Sequence, residues 1–199
     1  MRKGTKLGEF EDFYPNIYLT VSIFSFSIFE ALKKARMFSK QFEIRWSDVD
    51  ANGHLANSAY TNFMSHARMS FFGAHGFSMR TIQKNGLGPV VFYEHMYYFK
   101  ESFLGTPIQV TIEVSGLSED GMFFSFDHDF YNHKGEHLAY CQMLGAWIDL
   151  KTRKLTRLPQ DLLELGERFP KADSFKVLTK EDTRKFGVKP KPQLTKQQS

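Results

Sequence analysis

The chain has 199 residues, 16% of them aromatic and 24% charged, so it can form one folded domain with a sizeable core and cannot be disordered throughout. Its formal net charge of +4 is unevenly spread: residues 37–150 contain 7 Lys/Arg against 12 Asp/Glu, whereas residues 151–199 contain 13 against 6. The acidic centre argues against nucleic-acid binding by the domain, and the single cysteine, Cys141, excludes an internal disulfide framework and indicates a reducing compartment such as the cytoplasm.

Residues 1–36 contain the one membrane-like segment of the sequence, the apolar run 17–29, which Thr20 and three serines interrupt. A helix of that length would span about 20 Å, short of the roughly 30 Å hydrocarbon core of a bilayer. We therefore predict that residues 1–36 are an N-terminal extension, an amphipathic helix or hairpin. It could touch a membrane surface but would not cross the bilayer.

The domain itself is predicted to occupy residues 37–160 and to begin with a strand. Apolar side chains alternate along residues 38–46, which places Phe42, Ile44 and Trp46 on one face.

One long helix is predicted after a polar loop. Apolar residues recur there at helical spacing: Tyr60, Phe63, Met64, Ala67 and Phe71. Asn57 or Ser58 would cap the start of this helix, and Gly73 or Gly76 would end it.

Four strand-like runs follow the helix, at residues 88–103, 106–118, 121–133 and 136–150. Short turn signals separate them, as in an antiparallel meander. A single amphipathic helix beside an antiparallel sheet is an α+β architecture. Beyond the sheet, we predict a short helix at 161–169 and a basic, flexible tail after Pro170. Residues 172–199 would be dispensable for catalysis.

The loop before the long helix contains the most informative stretch, RWSDVDANGHLANSAY at residues 45–60, which is followed within the helix by Ala67-Arg68. This string resembles the opening motif of hot-dog-fold acyl thioesterases, in the branch of the 4-hydroxybenzoyl-CoA thioesterases, whose pattern is R-W-x-D-x-D-x-x-G-H-x-x-N-x-x-Y. The segments YFKESFLGT (98–106) and GAWIDLKTRKLTRLP (145–159) extend the resemblance, although Thr106 replaces an aspartate of the family pattern.

The resemblance implies a hot-dog fold, in which an antiparallel sheet wraps around one long central helix. It also implies a homodimer or a dimer of dimers with the active site between subunits. The catalytic carboxylate of the family corresponds to Asp50. A narrower likeness to plant acyl-ACP thioesterases adds Asn52 and His54 to the catalytic set. The implied substrates are thioesters of coenzyme A or of acyl carrier protein, and no cofactor is expected.

The chemistry of thioester hydrolysis explains these residue types. The reaction needs a nucleophile or base and hydrogen-bond donors for the developing oxyanion. Asp50 could attack the carbonyl or deprotonate water, and the free N–H groups of a helix start near Asn57 and Ser58 could be the oxyanion donors. Gly53 would let the backbone turn and approach the thioester.

Polar residues outside this loop are candidates for supporting or metal-binding roles. Arg68 and Glu94 could support the site, Arg68 by pairing with a carboxylate or a CoA phosphate. We predict no metal site, because at strand spacing Asp127 and Asp129 share one face and His128 takes the other.

Two alternative functions stay open at this point. A hot-dog hydratase or dehydratase would have D-x-N-P-x-H, whereas here the spacing is one residue shorter. A non-catalytic acyl-binding protein could also use the same fold.

Overall fold

The computed structural model describes residues 37–191, so the predicted N-terminal extension and its apolar run lie outside the described residues. The six strands are β1 (Phe38–Phe42), β2 (Leu87–Tyr98), β3 (Ile108–Leu117), β4 (Phe123–Asn132), β5 (His137–Asp149) and β6 (Lys171–Val177). The helices are α1 (Asn57–Ala74), α2 (Met79–Lys84) and α3 (Gln160–Glu167), with 3-10 turns at Trp46–Asp48 and Lys180–Arg184. Within residues 37–191, no helix has the length and apolarity needed to span a membrane.

The sheet is antiparallel in the order β1-β3-β4-β5-β2, with β6 pairing in parallel with the far end of β3. The predicted meander is correct for β3, β4 and β5. It is wrong for β2, which pairs with β5 instead of β3. Residues 99–107 therefore form a crossover connection past the ends of two strands, not a hairpin turn. This crossover later forms a wall of the candidate site.

Helix α1 packs its apolar stripe against the inner face of the sheet. The predicted core residues are all buried there: Tyr60, Phe63, Met64, Ala67 and Phe71. They join inward-facing side chains such as Ile112 of β3 and Phe126 of β4 in one core cluster. The helix ends at Ala74, so the predicted stop lies at the Gly76 end and Gly73 is helical.

The first strand is shorter than predicted. It ends at Phe42, and Trp46 lies in a 3-10 turn with 80% of its surface exposed. The prediction that Trp46 shares one face with Phe42 and Ile44 is therefore wrong, because Ile44 is buried and Trp46 is not. The reason is local: Arg45 and Asp48 bond to each other and close the turn that carries Trp46 outward.

The chain after Pro170 also departs from the prediction of a flexible tail. The short helix is present as α3, but residues 171–177 then form β6. Leu178 follows, only 3% exposed, and joins Phe123, Leu144 and Ala146 in a second apolar cluster. Gly116 makes this approach feasible, because a Cβ there would lie 2.7 Å from the Leu178 side chain. Since α1 covers the inner face, this second cluster lies on the outer face of the sheet.

Candidate active site

Asp48 anchors the loop that precedes α1. Its carboxylate is buried and accepts hydrogen bonds from the Arg45 backbone N–H and from Nε and Nη2 of the same arginine, each at 2.9 Å. The hydrogen bond from the Arg45 side chain holds the pKa of Asp48 below its ordinary value. The backbone carbonyl of Asp48 accepts the N–H of Ala56 at 2.9 Å, which closes the loop at the helix start. Asp48 therefore has a structural role.

Asp50 lies exposed at the tip of this loop. Its Oδ1 accepts the backbone N–H groups of Asn52 at 2.8 Å and His54 at 3.1 Å. Among residues 37–191, none donates a hydrogen bond to Oδ2. Gly53 takes a positive φ of 77°, which a residue with a side chain rarely adopts and which the tight turn requires. The carboxylate is thus held by one oxygen and presents the other to solvent.

The start of α1 leaves backbone donors open. Its N-cap is Ala56, which has no side chain able to accept a hydrogen bond, so the prediction that Asn57 or Ser58 caps the helix is wrong. The Ala59 N–H bonds to the Ala56 carbonyl at 2.9 Å. The N–H groups of Asn57 and Ser58 have no hydrogen-bond partner among the described residues. An uncapped helix start of this kind is a ready donor pair for an anion.

The crossover connection forms the opposite wall. The Leu55 N–H donates to the Ser102 carbonyl at 2.7 Å, and His54 forms a bridge with Phe103, whose ring centroid lies 5.1 Å from the imidazole. His54 Nε2 lies 3.7 Å from Oε2 of Glu101. These contacts fix His54 beside the loop, with its ring against the crossover.

A cavity of about 350 Å³ lies between the loop, the start of α1 and the crossover. The residues that line it are Asp50, His54, Leu55, Asn57, Tyr60, Tyr98, Phe99, Lys100, Glu101 and Ser102. The rings of Tyr60 and Tyr98 meet edge to face with their centroids 5.2 Å apart. Burial raises the pKa of Tyr60 to about 12, so its phenol stays neutral. The cavity therefore offers a carboxylate, an imidazole, a helix start and an aromatic wall.

The structure brings together some of the predicted site residues and separates others. Asp50, His54 and Asn57 line the cavity, whereas Asn52, Gly53 and Ser58 are adjacent in the chain but do not line it. The sequence did not predict that residues 99–102 form a wall of the site. They cross past two strands because β2 pairs with β5, and no local sequence pattern indicates that pairing.

Arg68 and Glu94 lie outside the cavity lining and pair with each other. Arg68 Nη1 is 3.0 Å from Glu94 Oε1, and the glutamate side chain is 23% exposed. Arg68 was expected to pair with a carboxylate or with a CoA phosphate. In the structure it pairs with the carboxylate of Glu94.

Within the described residues, no group of three or more His, Cys, Asp or Glu side chains is placed to hold a metal ion. His128 is completely buried, and burial lowers its pKa to about 3, so it is a neutral core residue. Asp129 pairs instead with His137 at 3.0 Å. Cys141 is also buried, and burial raises the pKa of its thiol to about 12, which makes it a core residue.

The model of the thioesterase-like superfamily matches residues 44–165. Among curated proteins, none matches the chain. Three solved structures illustrate the structural likeness. The DHNA-CoA thioesterase from Staphylococcus aureus is 22% identical, with a TM-score of 0.62 over 66% of this chain and 89% of that one. The 1,4-dihydroxy-2-naphthoyl-CoA thioesterase Slr0204 from Synechocystis is 18% identical, with a TM-score of 0.58 over 65% and 94%.

The third structure, SAV2348 from Staphylococcus aureus in complex with CoA, is 17% identical, with a TM-score of 0.63 over 79% of this chain and 96% of that one. At these identities the likeness to solved structures shows the fold alone, and it confirms the predicted α+β, hot-dog arrangement. Because the family model covers more than half of the sequence, the chain belongs to the thioesterase-like superfamily.

Proposed function

We propose that this protein hydrolyses acyl thioesters, giving a free acid and a thiol. This proposal rests on one observation: Asp50 and the uncapped start of α1 line the same cavity. A carboxylate with one free oxygen and backbone N–H groups without partners are the two components that thioester hydrolysis needs.

In the proposed mechanism, the thioester carbonyl oxygen points at the N–H groups of Asn57 and Ser58. These donors stabilise the negative charge that develops on that oxygen as the tetrahedral intermediate forms. The carbon–sulfur bond then breaks, and the thiolate leaves and takes up a proton. Because the N–H groups are already free and fixed by the helix, stabilising the oxyanion needs no rearrangement of the protein.

Asp50 can act by two routes. In one, Oδ2 attacks the carbonyl carbon, and water then hydrolyses the resulting anhydride. In the other, Oδ2 takes a proton from a water molecule that attacks directly. Turnover in ¹⁸O-labelled water can identify the first route. Label enters the Asp50 carboxylate only when water attacks the Asp50 carbonyl of the anhydride, and it is read by mass spectrometry of the peptide that contains Asp50.

His54 and Asn52 complete the proposed catalytic set. The His54 ring lines the cavity and can orient the thioester, and its backbone N–H, with that of Asn52, fixes Asp50. Gly53 allows the turn that makes both hydrogen bonds. Arg68 and Glu94 support the site indirectly, since their ion pair ties the middle of α1 to β2.

We propose a thioester of coenzyme A or of acyl carrier protein as substrate. Two of the structural neighbours are named as thioesterases of a CoA thioester, and a third is described in complex with CoA. We also propose membership of the 4-hydroxybenzoyl-CoA branch, on the motif of residues 45–60. The proposed reaction uses only protein groups and water.

We propose that the active form is a homodimer or a dimer of dimers. β2 ends the sheet order and pairs only with β5 among the described strands, yet it exposes Val91, Phe92, Tyr97 and Tyr98. A long edge strand with exposed apolar and aromatic side chains is a surface that proteins usually cover. Pairing with the β2 strand of a second copy would cover it.

Thiol release from a panel of acyl-CoAs by the purified protein tests this function. We expect release that follows enzyme concentration and persists in the presence of a chelator. Hydration of enoyl-CoA without thiol release would mean a hydratase. Tight acyl-CoA binding with no turnover of any kind would mean a binding protein.

A further inference from the structure

The C-terminal strap, residues 171–190, begins as β6 beside β3 at the edge of the sheet and then crosses the outer face. All of it lies beyond the family match, which ends at residue 165. After β6, Leu178 packs into the outer-face cluster, and Lys185 Nζ donates to Gln142 Oε1 of β5 at 2.8 Å. The ring of Phe186 then meets Tyr93 of β2 at 5.2 Å and His95 at 5.0 Å. The strap therefore reaches from β3 to the far edge of the sheet.

A second cavity, of about 420 Å³, lies between the end of the strap and β2. Its lining combines three cations, Arg184, Lys185 and Lys189, with three rings, Phe92, Tyr93 and Phe186. No carboxylate lines it. Of the two acidic residues in the adjoining turn, Asp182 is paired with Lys176 and accepts the Thr179 N–H at 2.9 Å.

A β-bulge gives this cavity two neighbouring rings. The pairing of β2 with β5 shifts between Val91 and Tyr93, so Phe92 is the extra residue. In a regular strand, adjacent side chains point to opposite faces. Here Phe92 and Tyr93 both line the cavity, and Phe92 contacts Phe123 of the outer cluster at 6.3 Å. Bulges commonly re-aim side chains in this way beside functional sites.

A row of ring contacts joins this cavity to the candidate active site. The ring centroids of successive members are 5.0 Å apart for Phe186 and His95, 4.7 Å for His95 and Tyr97, and 6.3 Å for Tyr97 and Phe99. Phe99 also lines the active-site cavity. The strand from Tyr93 to Phe99 covers about 20 Å at the usual rise per residue. An extended pantetheine arm with its diphosphate has a comparable reach.

We propose that the second cavity binds the 3′-phospho-ADP end of a coenzyme A thioester whose acyl group lies in the active-site cavity. This inference rests on the proposed thioesterase function and selects coenzyme A as the carrier. The cations would pair with the phosphates, with Arg184 offering the planar, two-pronged donor geometry that phosphate favours. The rings would stack on the adenine. The thioester of a carrier protein has the same pantetheine arm but no nucleotide, so it would leave this cavity empty.

The test compares one acyl group on coenzyme A with the same group on pantetheine, which lacks the nucleotide. The variant is Arg184→Gln/Lys189→Gln, which spares Lys185 and its bond to Gln142. We expect KM for the acyl-CoA to rise on the order of tenfold with kcat unchanged, and the acyl-pantetheine kinetics to stay the same. The control Lys180→Gln/Lys191→Gln removes the same charge from residues that do not line the cavity, and it should leave both substrates unaffected.

Binding of adenosine 3′,5′-bisphosphate, measured by calorimetry on the full chain, gives a readout independent of catalysis. Binding that the cavity variant weakens and the control does not supports the site, even if no thioester is hydrolysed and the proposed function fails. Three results overturn it: no binding, equal effects of the cavity variant on both thioesters, or a loss confined to acyl carrier protein thioesters. The last would make the cavity a protein-docking site.

Discussion

Leu178→Ala tests whether the C-terminal strap is part of the folded domain. The leucine side chain is 3% exposed and packs on Gly116 and the outer-face cluster. Truncating a buried leucine removes its transfer free energy and leaves a cavity, a loss of about 3 kcal/mol in the free energy of unfolding. For a domain of this size that corresponds to a fall in Tm of about 6–12 °C.

The assay is thermal and urea unfolding followed by circular dichroism. Val177→Ala is the matched control, because Val177 is the preceding residue and is 56% exposed. It should change stability by no more than about 0.5 kcal/mol. If both variants unfold at the same temperature as the parent protein, Leu178 does not fasten the strap and the outer-face cluster is not a stabilising core.

Three further results are expected. The hydrogen bond from Arg45 lowers the pKa of Asp48 below its ordinary value of 3.8. Ionised Asp48 therefore stabilises the fold above pH 3.8. This stabilisation is lost as the pH falls through the lower pKa that Asp48 has in the folded state. Tm should therefore drop more steeply below about pH 4 in the parent protein than in Asp48→Asn, and parallel curves would contradict this. Glu94→Leu should lower the free energy of unfolding by about 2–3 kcal/mol, because it leaves Arg68 unpaired. In a double-mutant cycle, adding Arg68→Met should recover most of that loss. Light scattering should show a dimer or a dimer of dimers that Val91→Lys shifts toward monomer, whereas an active monomer at assay concentration would refute the shared-edge proposal.

The elements that sequence predicts well are those whose signal is local. The five apolar residues of α1 recur at helical spacing over about three turns, which indicates a helix. The β3, β4 and β5 runs are joined by short turns, so pairing between neighbours follows from chain length alone. The loop at Asp50 was found because its residues are consecutive and match a family pattern.

The features that sequence missed depend on distant parts of the chain. β2 pairs with β5, about fifty residues later in the sequence, and nothing within β2 encodes that choice. β6 has a weak apolar pattern and exists because β3 offers it an edge and Leu178 finds a place over Gly116. The expectation that the tail is dispensable for catalysis stays a prediction, but part of this tail contributes to the fold. Removing residues 172–191 would delete β6 and uncover the outer-face cluster.

The position of the helix start illustrates a third kind of limit. Polar side chains at Asn57 and Ser58 look like caps, but the bond from the Ala56 N–H to the Asp48 carbonyl begins the helix one residue earlier. Tertiary contact thus overrode the local capping preference. It left backbone donors open that a capped helix would have satisfied.

The central claim is that the Asp50 carboxylate performs the reaction, and kcat of Asp50→Asn on one acyl-CoA tests it most directly. Asparagine keeps the Oδ1 acceptor that the Asn52 and His54 N–H groups use and removes only the charge. We predict a loss of at least about a hundredfold in kcat, about 3 kcal/mol in the barrier, with Tm nearly unchanged. Asp48→Asn, measured beside it, should lower Tm and leave kcat within a few-fold. Near-normal turnover by Asp50→Asn, beside a folded but inactive Asp48→Asn, would contradict the claim.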